Sequence, residues 1–374
     1  MRHVYRAGLI VASACALVLV GSLVSGDSSL AAPAAVGCFV SLGIGAFGFR
    51  RLREFSFTIW IFAAVTAAMF YPQYFQKVGD FDLKVLIVPL IQVIMFGMGT
   101  RMSLKDFGAV AKTPKGVLVG LVCQFTIMPL VGVSLALAFR FPAEIAAGVV
   151  LIGCAPSGVA SNVMAYIAGA NLALSITLTA IATLLAPIVT PALMELLAGQ
   201  FVPIDFVDMM IGIVEMVIVP IVLGLILNRL TRGRAAWLDK AMPLLSMVGI
   251  AVIITIITAA GRDALLDVGL LLVLAAVIHN GTGYLLGYWS ARLLRMDKKS
   301  CRTIAIEVGM QNGGLASGIA LQMGKVATVG LAPAIFGPWM NISGSALANW
   351  WRRTSEEKSE IRNQKSERKI DLIE

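Results

Sequence analysis

Long apolar runs alternate with short polar and basic clusters along almost the whole chain. A membrane-spanning helix needs about 20 apolar residues, and no run alternates apolar and polar residues as a barrel strand does. The pattern predicts an all-α polytopic membrane protein. Its twelve predicted segments lie near 7–25, 31–49, 55–72, 84–101, 116–139, 143–168, 171–196, 207–228, 243–260, 264–291, 300–324 and 328–351.

The composition agrees with this pattern. Of the 374 residues, 58% are hydrophobic and 14% are charged, whereas a soluble domain carries about 25% charged residues. Of the 51 charges, 13 lie in the last 23 residues, so too few remain to solvate a globular surface. This excludes a soluble enzyme, a disulfide-rich secreted domain and a disordered protein, and it makes the lipid bilayer the expected surroundings.

The basic residues predict the orientation. Twelve segments place 20 lysines and arginines on the side of the N-terminus, and five more lie in the tail. The opposite side holds Lys77, Lys84, Arg140, Arg262 and Lys325. Cytoplasmic loops carry the excess of such residues, so both termini are predicted to be cytoplasmic in the inner (plasma) membrane. Topology thus accounts for the net charge of +9, and we expect no nucleic-acid partner.

The two ends of the chain lie outside the main pattern. Residues 1–54 hold two extra segments. The first is either a retained helix or a cleavable signal peptide, because a small-residue stretch, GDSSLAAPAA, follows it. Cleavage would leave the downstream charge pattern unchanged. Residues 352–374 are predicted to form a charged cytoplasmic tail.

The ten later segments divide into two sets of five, 55–196 and 207–351, joined by a linker loop at 197–206. Because five is odd, the second set enters the membrane from the opposite face, as in the inverted repeats of secondary transporters. The fourth segment of each set contains helix-breaking residues beside polar ones. These stretches read CAPSGVASNVM at 154–164 and EVGMQNGGLASG at 307–318.

Such matched interruptions point to a transport site. Backbone groups released at membrane depth must be satisfied by ions, substrate or water, because lipid offers no hydrogen bonds. Paired broken segments are the best indication of a binding site that a transporter sequence offers. The alternative is that these glycines only allow tight helix packing.

Two acids, Glu215 and Glu307, fall well inside predicted segments. A charge at the bilayer centre costs about 2.5–3.5 kcal/mol on insertion scales, so each acid needs a partner. Glu307 opens the second broken stretch beside Gln311 and Asn312, and we interpret it as a sodium ligand. A protonated acid that ties helices together is the alternative. Glu215 is either a protonated pore residue or a substrate contact.

Further polar residues on neighbouring segments complete a cage of oxygen ligands. They are Gln124, Ser161, Asn162, Ser175 and Thr179. Ser175 and Thr179 are four residues apart and therefore share one helix face. A single Ser or Thr more often bonds to a carbonyl of its own helix, but together with Glu307 this set exceeds what packing requires.

The sequence gives no support for transition-metal, redox or enzymatic chemistry. The five cysteines form no CxxC pair, which favours small packing residues over a metal or redox role. The two histidines are too few for a zinc or haem site. A membrane enzyme needs a nucleophile–base pair or a metal constellation that these segments lack. We therefore expect no enzyme activity, no catalytic residues and no organic cofactor.

Three strings carry a specific resemblance: MFGMGTRMSLKDF at 95–107, the ASNVM of the first broken stretch, and EVGMQNGGLA. Over about 55–351 the chain resembles the bile acid:sodium symporter family, especially its bacterial branch, which includes transporters of pantoate and related organic anions. The resemblance implies ten helices in panel and core domains, with two discontinuous helices crossing in the core. The two extra N-terminal helices lie outside it.

The resemblance also implies two sodium sites and an anion site. The first sodium site matches Ser161, Asn162, Ser175, Thr179 and Glu307; the second matches Gln124, Glu307, Gln311 and the carbonyls of Val308 and Met310. The implied substrate positions are Ser157, Gly158, Val159, Asn312, Gly313 and Gly314.

The anion site departs from the family at one point. Where the family usually reads Gly-Gly-Thr, this chain has Ser157, Gly158 and Val159, so a threonine hydroxyl is missing. The half-helix N-termini still present free N–H groups and about half a positive charge each, which suits a carboxylate.

These features predict a sodium-coupled symporter that imports a small organic anion by alternating access. The expected substrate is a monocarboxylate such as pantoate, a keto acid or a bile acid, carried with two Na⁺ ions. The alternative is a proton- or exchange-driven exporter of organic anions, or of the arsenite type, on the same fold.

Overall fold

The computed structural model describes residues 2–25, 29–49, 52, 56–102, 113–231 and 236–371. Several sequence features lie outside these residues. They are the end of the first resembling string, 103–107, and the basic residues Arg50, Arg51, Arg53, Lys105, Lys112, Arg232 and Arg234.

Helices dominate the described residues. They are α1 (Arg2–Ser25), α2 (Ala31–Ala46), α3 (Ser56–Phe70), α4 (Gln73–Gln76), α5 (Ile87–Gly99), α6 (Pro114–Ala138), α7 (Ala143–Cys154), α8 (Ala160–Ile167), α9 (Leu172–Ala198), α10 (Phe206–Ile213), α11 (Val219–Thr231), α12 (Ala236–Ala260), α13 (Arg262–Leu293), α14 (Lys298–Gly309), α15 (Gly313–Gln322) and α16 (Leu331–Asp371). A π-helical turn, Val214–Ile218, joins α10 to α11.

Six helices within these ranges are long and apolar enough to cross a bilayer. They are His3–Ser22, Pro114–Ala138, Leu172–Ala198, Phe206–Thr231, Ala241–Ala260 and Arg262–Leu293. This confirms the all-α polytopic class. The other predicted segments are shorter apolar helices, two broken helices, and α16, which continues to Asp371 in the predicted tail.

Both broken stretches interrupt helices where Pro and Gly predict it. The segment predicted at 143–168 consists of α7 and α8, separated by five residues that include Pro156. The segment predicted at 300–324 consists of α14 and α15, separated by Met310, Gln311 and Asn312. Each break therefore lies in the fourth predicted segment of its set of five.

A small β-hairpin lies between α4 and α5, where the apolar pattern predicts only a loop. Strand β1 (Lys77–Val78) pairs antiparallel with β2 (Phe81–Asp82). Gly79 takes a positive φ of 60° in the turn, a conformation that glycine adopts without a Cβ penalty. Asp82 then caps the following 3₁₀ turn through the backbone N–H of Lys84.

The helices after α2 pack in two groups. The smaller group holds α3, α5, α11 and α12; the larger group holds α6, α7, α8, α9, α13, α14, α15 and α16, and α10 packs on α9 and α15 of this larger group. The extra helix α2 packs on α3 of the smaller group, where the Phe39 and Phe62 rings stack with centroids 5.8 Å apart. Helix α1 packs on α2, and a Cβ on Gly8 would lie 2.9 Å from the Ser41 carbonyl oxygen.

Helices α5 and α11 touch through glycine. A Cβ on Gly99 would lie 2.2 Å from the Ile221 carbonyl oxygen, and one on Gly224 would lie 2.3 Å from that of Phe96. Small residues let membrane helices approach to backbone contact. This crossing holds the smaller group together.

Gly224→Ala tests this packing. The added methyl group has only rigid backbone around it, so we expect a loss of about 1–3 kcal/mol, the usual cost of overpacking. Gly281→Ala is the matched control, because a Cβ there would meet no atom within 4 Å. Thermal unfolding of the purified protein should show a lower Tm for Gly224→Ala only. Equal Tm values for the two variants would contradict the crossing.

Candidate functional site

The two broken helices satisfy each other's backbone. The N–H of Gly158 donates to the Met310 carbonyl oxygen at 2.9 Å, and the N–H of Asn312 donates to that of Pro156 at 2.7 Å. Ser157 and Gln311 thus face each other in an antiparallel β-bridge. A Cβ on Gly158 would lie 3.0 Å from the Gln311 carbonyl oxygen, so the close approach favours glycine.

Polar side chains satisfy the carbonyl groups at the ends of α7 and α14. Thr190 Oγ1 donates to the Cys154 oxygen and Gln124 Nε2 to the Ala155 oxygen, both at 2.9 Å. At the second break, Gln311 Nε2 donates to the Val308 oxygen at 2.5 Å. Asn280 Nδ2 donates to the Gly309 oxygen at 2.6 Å. These carbonyl groups are therefore hydrogen-bonded within the protein, as they must be where lipid offers no donors.

The carboxylate of Glu307 lies at the centre of a buried oxygen cluster. Its Oε1 accepts from Ser161 Oγ at 2.7 Å and from Ser175 Oγ at 2.5 Å. Its Oε2 accepts from Thr179 Oγ1 at 2.8 Å. Glu307 is 2% exposed and the three hydroxyl residues are fully buried. The side chains come from α8, α9 and α14 and meet beside the two breaks.

Asn162 extends the cluster on the side of α8. Its Oδ1 lies 2.8 Å from Ser175 Oγ and 3.3 Å from Thr179 Oγ1, so it competes with Glu307 for their hydroxyl protons. Ser161 Oγ also lies 2.7 Å from the Gly158 carbonyl oxygen. The five residues expected at the first sodium site are therefore brought together.

This cluster has more oxygen atoms than protons. Ser157, Ser161, Ser175 and Thr179 have one hydroxyl proton each, while Glu307 and Asn162 offer three further side-chain oxygens. Four hydroxyl protons therefore serve seven side-chain oxygens, and a carboxylate contributes none when it is ionised. A buried surplus of acceptors is costly unless a cation or an extra proton compensates it.

Three amide oxygens among the described residues have no hydrogen-bond partner. Gln322 Oε1 lies at the end of α15, whereas Gln124 Oε1 and Gln311 Oε1 belong to buried side chains that bond the half-helix ends at the breaks. Buried acceptors of this kind are uncommon in native proteins. Hard cations such as Na⁺ take oxygen ligands, so the two oxygens at the breaks fit the second expected sodium site. The carbonyls of Val308 and Met310 already accept one hydrogen bond each, and a second lone pair remains on each oxygen.

A cavity of about 370 Å³ opens beside the breaks. Its walls come from α5 and α12 of the smaller group and from both breaks, α8, α15 and α16 of the larger group. Gly158, Val159, Asn312, Gly313 and Gly314 line it as predicted, together with Gln311. The volume is typical of small-molecule sites.

Most of the cavity wall is apolar. Seven methionines line it, namely Met95, Met98, Met164, Met242, Met247, Met310 and Met340. Methionine side chains adapt to ligands of different shape. Arg101 is the one ionisable residue among the described residues of the lining.

Two predicted residues lie away from this cavity. Ser157 is 2% exposed and is not among the described lining residues, so its contact with the substrate stays a prediction. Glu215 lies in the π-helical turn with its side chain exposed, while Met216 and Val217 face inward. Its backbone oxygen accepts from Gln92 Nε2 at 3.3 Å. The structure does not bring Glu215 to the site.

Sequence reasoning missed three contributors: Asn280, Thr190 and Arg101. Asn280 and Thr190 are polar residues in apolar helices, the same signal that identified Gln124. Arg101 was counted only among the basic residues of the cytoplasmic side. Its place at the end of α5, facing the cavity, follows from tertiary packing.

Sequence comparisons identify the family of the chain. The profile described as the Sodium Bile acid symporter family matches residues 88–268. The Bacillus subtilis protein named "Uncharacterized sodium-dependent transporter YocS" is 41% identical over 313 residues, covering 83% of this chain and 95% of its own length.

Plant proteins match at lower identity. The rice "Probable sodium/metabolite cotransporter BASS1, chloroplastic" is 31% identical over 83% of this chain and 78% of its own length. The Arabidopsis thaliana BASS1 protein is 32% identical over 80% of this chain and 74% of its own length. With the 41% match extending over nearly the whole bacterial relative, the chain belongs to the sodium bile acid symporter family.

Proposed function

We propose that this protein is a symporter that imports a small organic monoanion together with two Na⁺ ions. The observation that carries the proposal is the buried oxygen cluster around Glu307, which has seven side-chain oxygens and four hydroxyl protons. The relatives are named as a sodium-dependent transporter and as sodium/metabolite cotransporters, and these names support sodium coupling. The protein acts in this proposal as a carrier and not as an enzyme.

Glu307 and its hydroxyl neighbours form the first cation site. A bound Na⁺ would take oxygen ligands from Ser161, Asn162, Ser175 and Thr179 while Glu307 supplies the opposite charge. The second ion would use the free oxygens of Gln124 and Gln311, beside the carbonyls of Val308 and Met310. One carboxylate then serves two cations, and the charge that remains favours an anion nearby.

The substrate binds in the cavity on the other side of the breaks. Its carboxylate would face Asn312, Gly313 and Gly314 at the N-terminus of α15. The N–H groups of Asn312, Gly313 and Leu315 are already bonded. The Gly314 N–H is therefore the backbone donor that would serve the carboxylate. Its apolar body would lie against the methionine wall. Arg101 adds positive charge at the same cavity, which further supports an anion.

Alternating access would move the two helix groups against each other. The smaller group corresponds to the panel of the family fold and the larger group to its core. The two sets of five helices, 55–196 and 207–351, would be related as an inverted repeat with crossing breaks. We place the protein in the plasma membrane with both termini in the cytoplasm, as the basic residues predict.

The proposed stoichiometry is electrogenic. Two Na⁺ ions with one monoanion carry one positive charge inward in each cycle. The membrane potential then contributes about 2.3 kcal/mol per charge per 100 mV to accumulation of the substrate.

A proton-coupled exporter is the second candidate. A proton on Glu307 would also relieve part of the acceptor surplus in the cluster, because it would turn one carboxylate oxygen into a donor. The unpartnered oxygens of Gln124 and Gln311 favour sodium, since a single proton on Glu307 leaves both of them without a partner.

Uptake into proteoliposomes tests the proposal directly. Labelled pantoate is supplied with either Na⁺ or K⁺ outside, and uptake with Na⁺ alone is the expected result. Equal uptake in both salts would remove the sodium sites and favour the exporter. If pantoate is not taken up in either salt, the thermal stability of the protein is measured with a panel of carboxylates in Na⁺ and in K⁺. Stabilisation that requires Na⁺ identifies the substrate class. Absence of any Na⁺ effect on thermal stability would refute the proposal.

Glu307→Gln tests the role of the carboxylate charge. Gln keeps the size and much of the hydrogen bonding but removes the charge that balances the cation. We expect the half-saturating Na⁺ concentration to rise by at least about tenfold, which is 1.4 kcal/mol. Glu195→Gln is the control, because Glu195 is an exposed acid on α9. Sodium-dependent uptake at the normal rate in Glu307→Gln would contradict the assignment.

Arg101→Gln tests the cavity charge. A contact with a charged group is worth about 1.5–3 kcal/mol, so the KM for the anion should rise by roughly tenfold or more. The half-saturating Na⁺ concentration should stay near its normal value. Arg229→Gln removes the same charge from an exposed position outside the cavity lining. Equal effects of the two variants would mean that only the overall surface charge matters.

A further inference from the structure

Helices α13 and α14 touch along their backbones just before the second break. A Cβ on Gly283 would lie 2.8 Å from the Cα of Gly309, and one on Gly287 would lie 3.1 Å from that of Ala305. The two glycines are four residues apart on one helix face, the spacing of close helix contacts in membranes. The end of α14 is therefore held tightly against α13.

Asn280 lies on α13 where this contact ends. The side chain is 1% exposed, and its Nδ2 donates to the Gly309 carbonyl oxygen at 2.6 Å. Its Oδ1 accepts from Ser343 Oγ on α16 at 2.5 Å. Tyr284 OH lies 3.3 Å from the same Ser343 oxygen. One buried amide thus links three helices, and both of its ends are hydrogen-bonded.

Gln124 occupies the corresponding position in the first set of helices. It lies on α6, the third predicted segment of its set, as α13 is of the second set. Its Nε2 likewise donates to a carbonyl oxygen at the end of a half-helix, that of Ala155 at 2.9 Å. The difference lies in the oxygens, because Gln124 Oε1 has no partner among the described residues whereas Asn280 Oδ1 is already bonded.

This difference gives the two amides different roles. Gln124 Oε1 has no hydrogen-bond partner and is available for a cation, whereas Asn280 Oδ1 is held by Ser343. Asn280 instead fixes the carbonyl of Gly309, two residues after Glu307 and one after Val308. The orientation of the last turn of α14 determines where the Glu307 carboxylate and the Val308 carbonyl point.

We infer that Asn280, held by Ser343, is a positioning residue for the cation sites around Glu307. It touches no proposed ligand atom directly and acts through the last turn of α14. The inference rests on the proposed sodium-coupled function. Residues that hold a metal ligand in position without contacting the metal typically change metal affinity by about 10–100-fold when they are removed.

Thermal unfolding of the purified full chain tests this inference. The Tm is measured over a series of Na⁺ concentrations, with K⁺ keeping the ionic strength constant. Asn280→Ala should raise the half-saturating Na⁺ concentration by about 10–100-fold. Ser343→Ala should raise it in the same direction by a smaller factor, because Asn280 keeps its bond to Gly309. Ser343→Ala carries the test if Asn280→Ala does not fold.

Asn349→Ala is the matched control. The amide of Asn349 donates to the Ser345 carbonyl oxygen within α16 at 2.9 Å, so its removal should leave the Na⁺ dependence unchanged. A lower Tm for Asn280→Ala or Ser343→Ala with an unchanged half-saturating concentration would show a merely structural role and overturn the inference. No Na⁺-dependent change of Tm in the unsubstituted protein would instead overturn the proposed function itself.

Discussion

The structure depends on how the peptide groups of two interrupted helices find partners inside a membrane. Pro156 and the residues around Gly313 end regular helices where lipid offers no hydrogen bonds. Each break supplies the missing partners of the other, through Gly158 to Met310 and Asn312 to Pro156. The remaining carbonyls at the half-helix ends are bonded by Gln124, Thr190, Asn280 and Gln311. Irregular backbone at membrane depth is thus retained only because several helices pack around it.

The same arrangement concentrates oxygen atoms. Half-helices that end side by side bring carbonyls, amides and hydroxyls into one small volume, and Glu307 adds a carboxylate to them. Hydroxyl protons satisfy only part of this set, so the cluster favours a cation more strongly than any one of its residues would. The cavity wall differs from the cluster, since it contains Arg101 and no acid among the described lining residues. In the proposed function, the cations and the anion would bind on two sides of one pair of breaks.

Much of this could be predicted from the sequence. Apolar length located the helices, and Pro156 and Gly313 located the breaks, because these signals are local. The grouping of Ser161, Asn162, Ser175, Thr179 and Glu307 came from the family resemblance, and the structure brings these residues together. What could not be predicted depends on distant pairing. Ser343 and Asn280 are 63 residues apart, and no local pattern joins them. Glu215 also faces outward. A regular α-helical pattern drawn through the π-helical turn does not predict this orientation.

The bridge between Ser157 and Gln311 has a thermodynamic consequence. One strand of the bridge continues into Gly158 and Val159 at the cavity, and the other contains Gln311 beside the cation cluster. In the proposed function, an ion that orders one strand would also order the other, and an anion would do the same in reverse. Linkage requires the two effects to be equal, so the factor by which sodium raises anion affinity is also the factor by which the anion raises sodium affinity. For a typical coupling free energy of about 1–3 kcal/mol, that shared factor would be roughly 5–150.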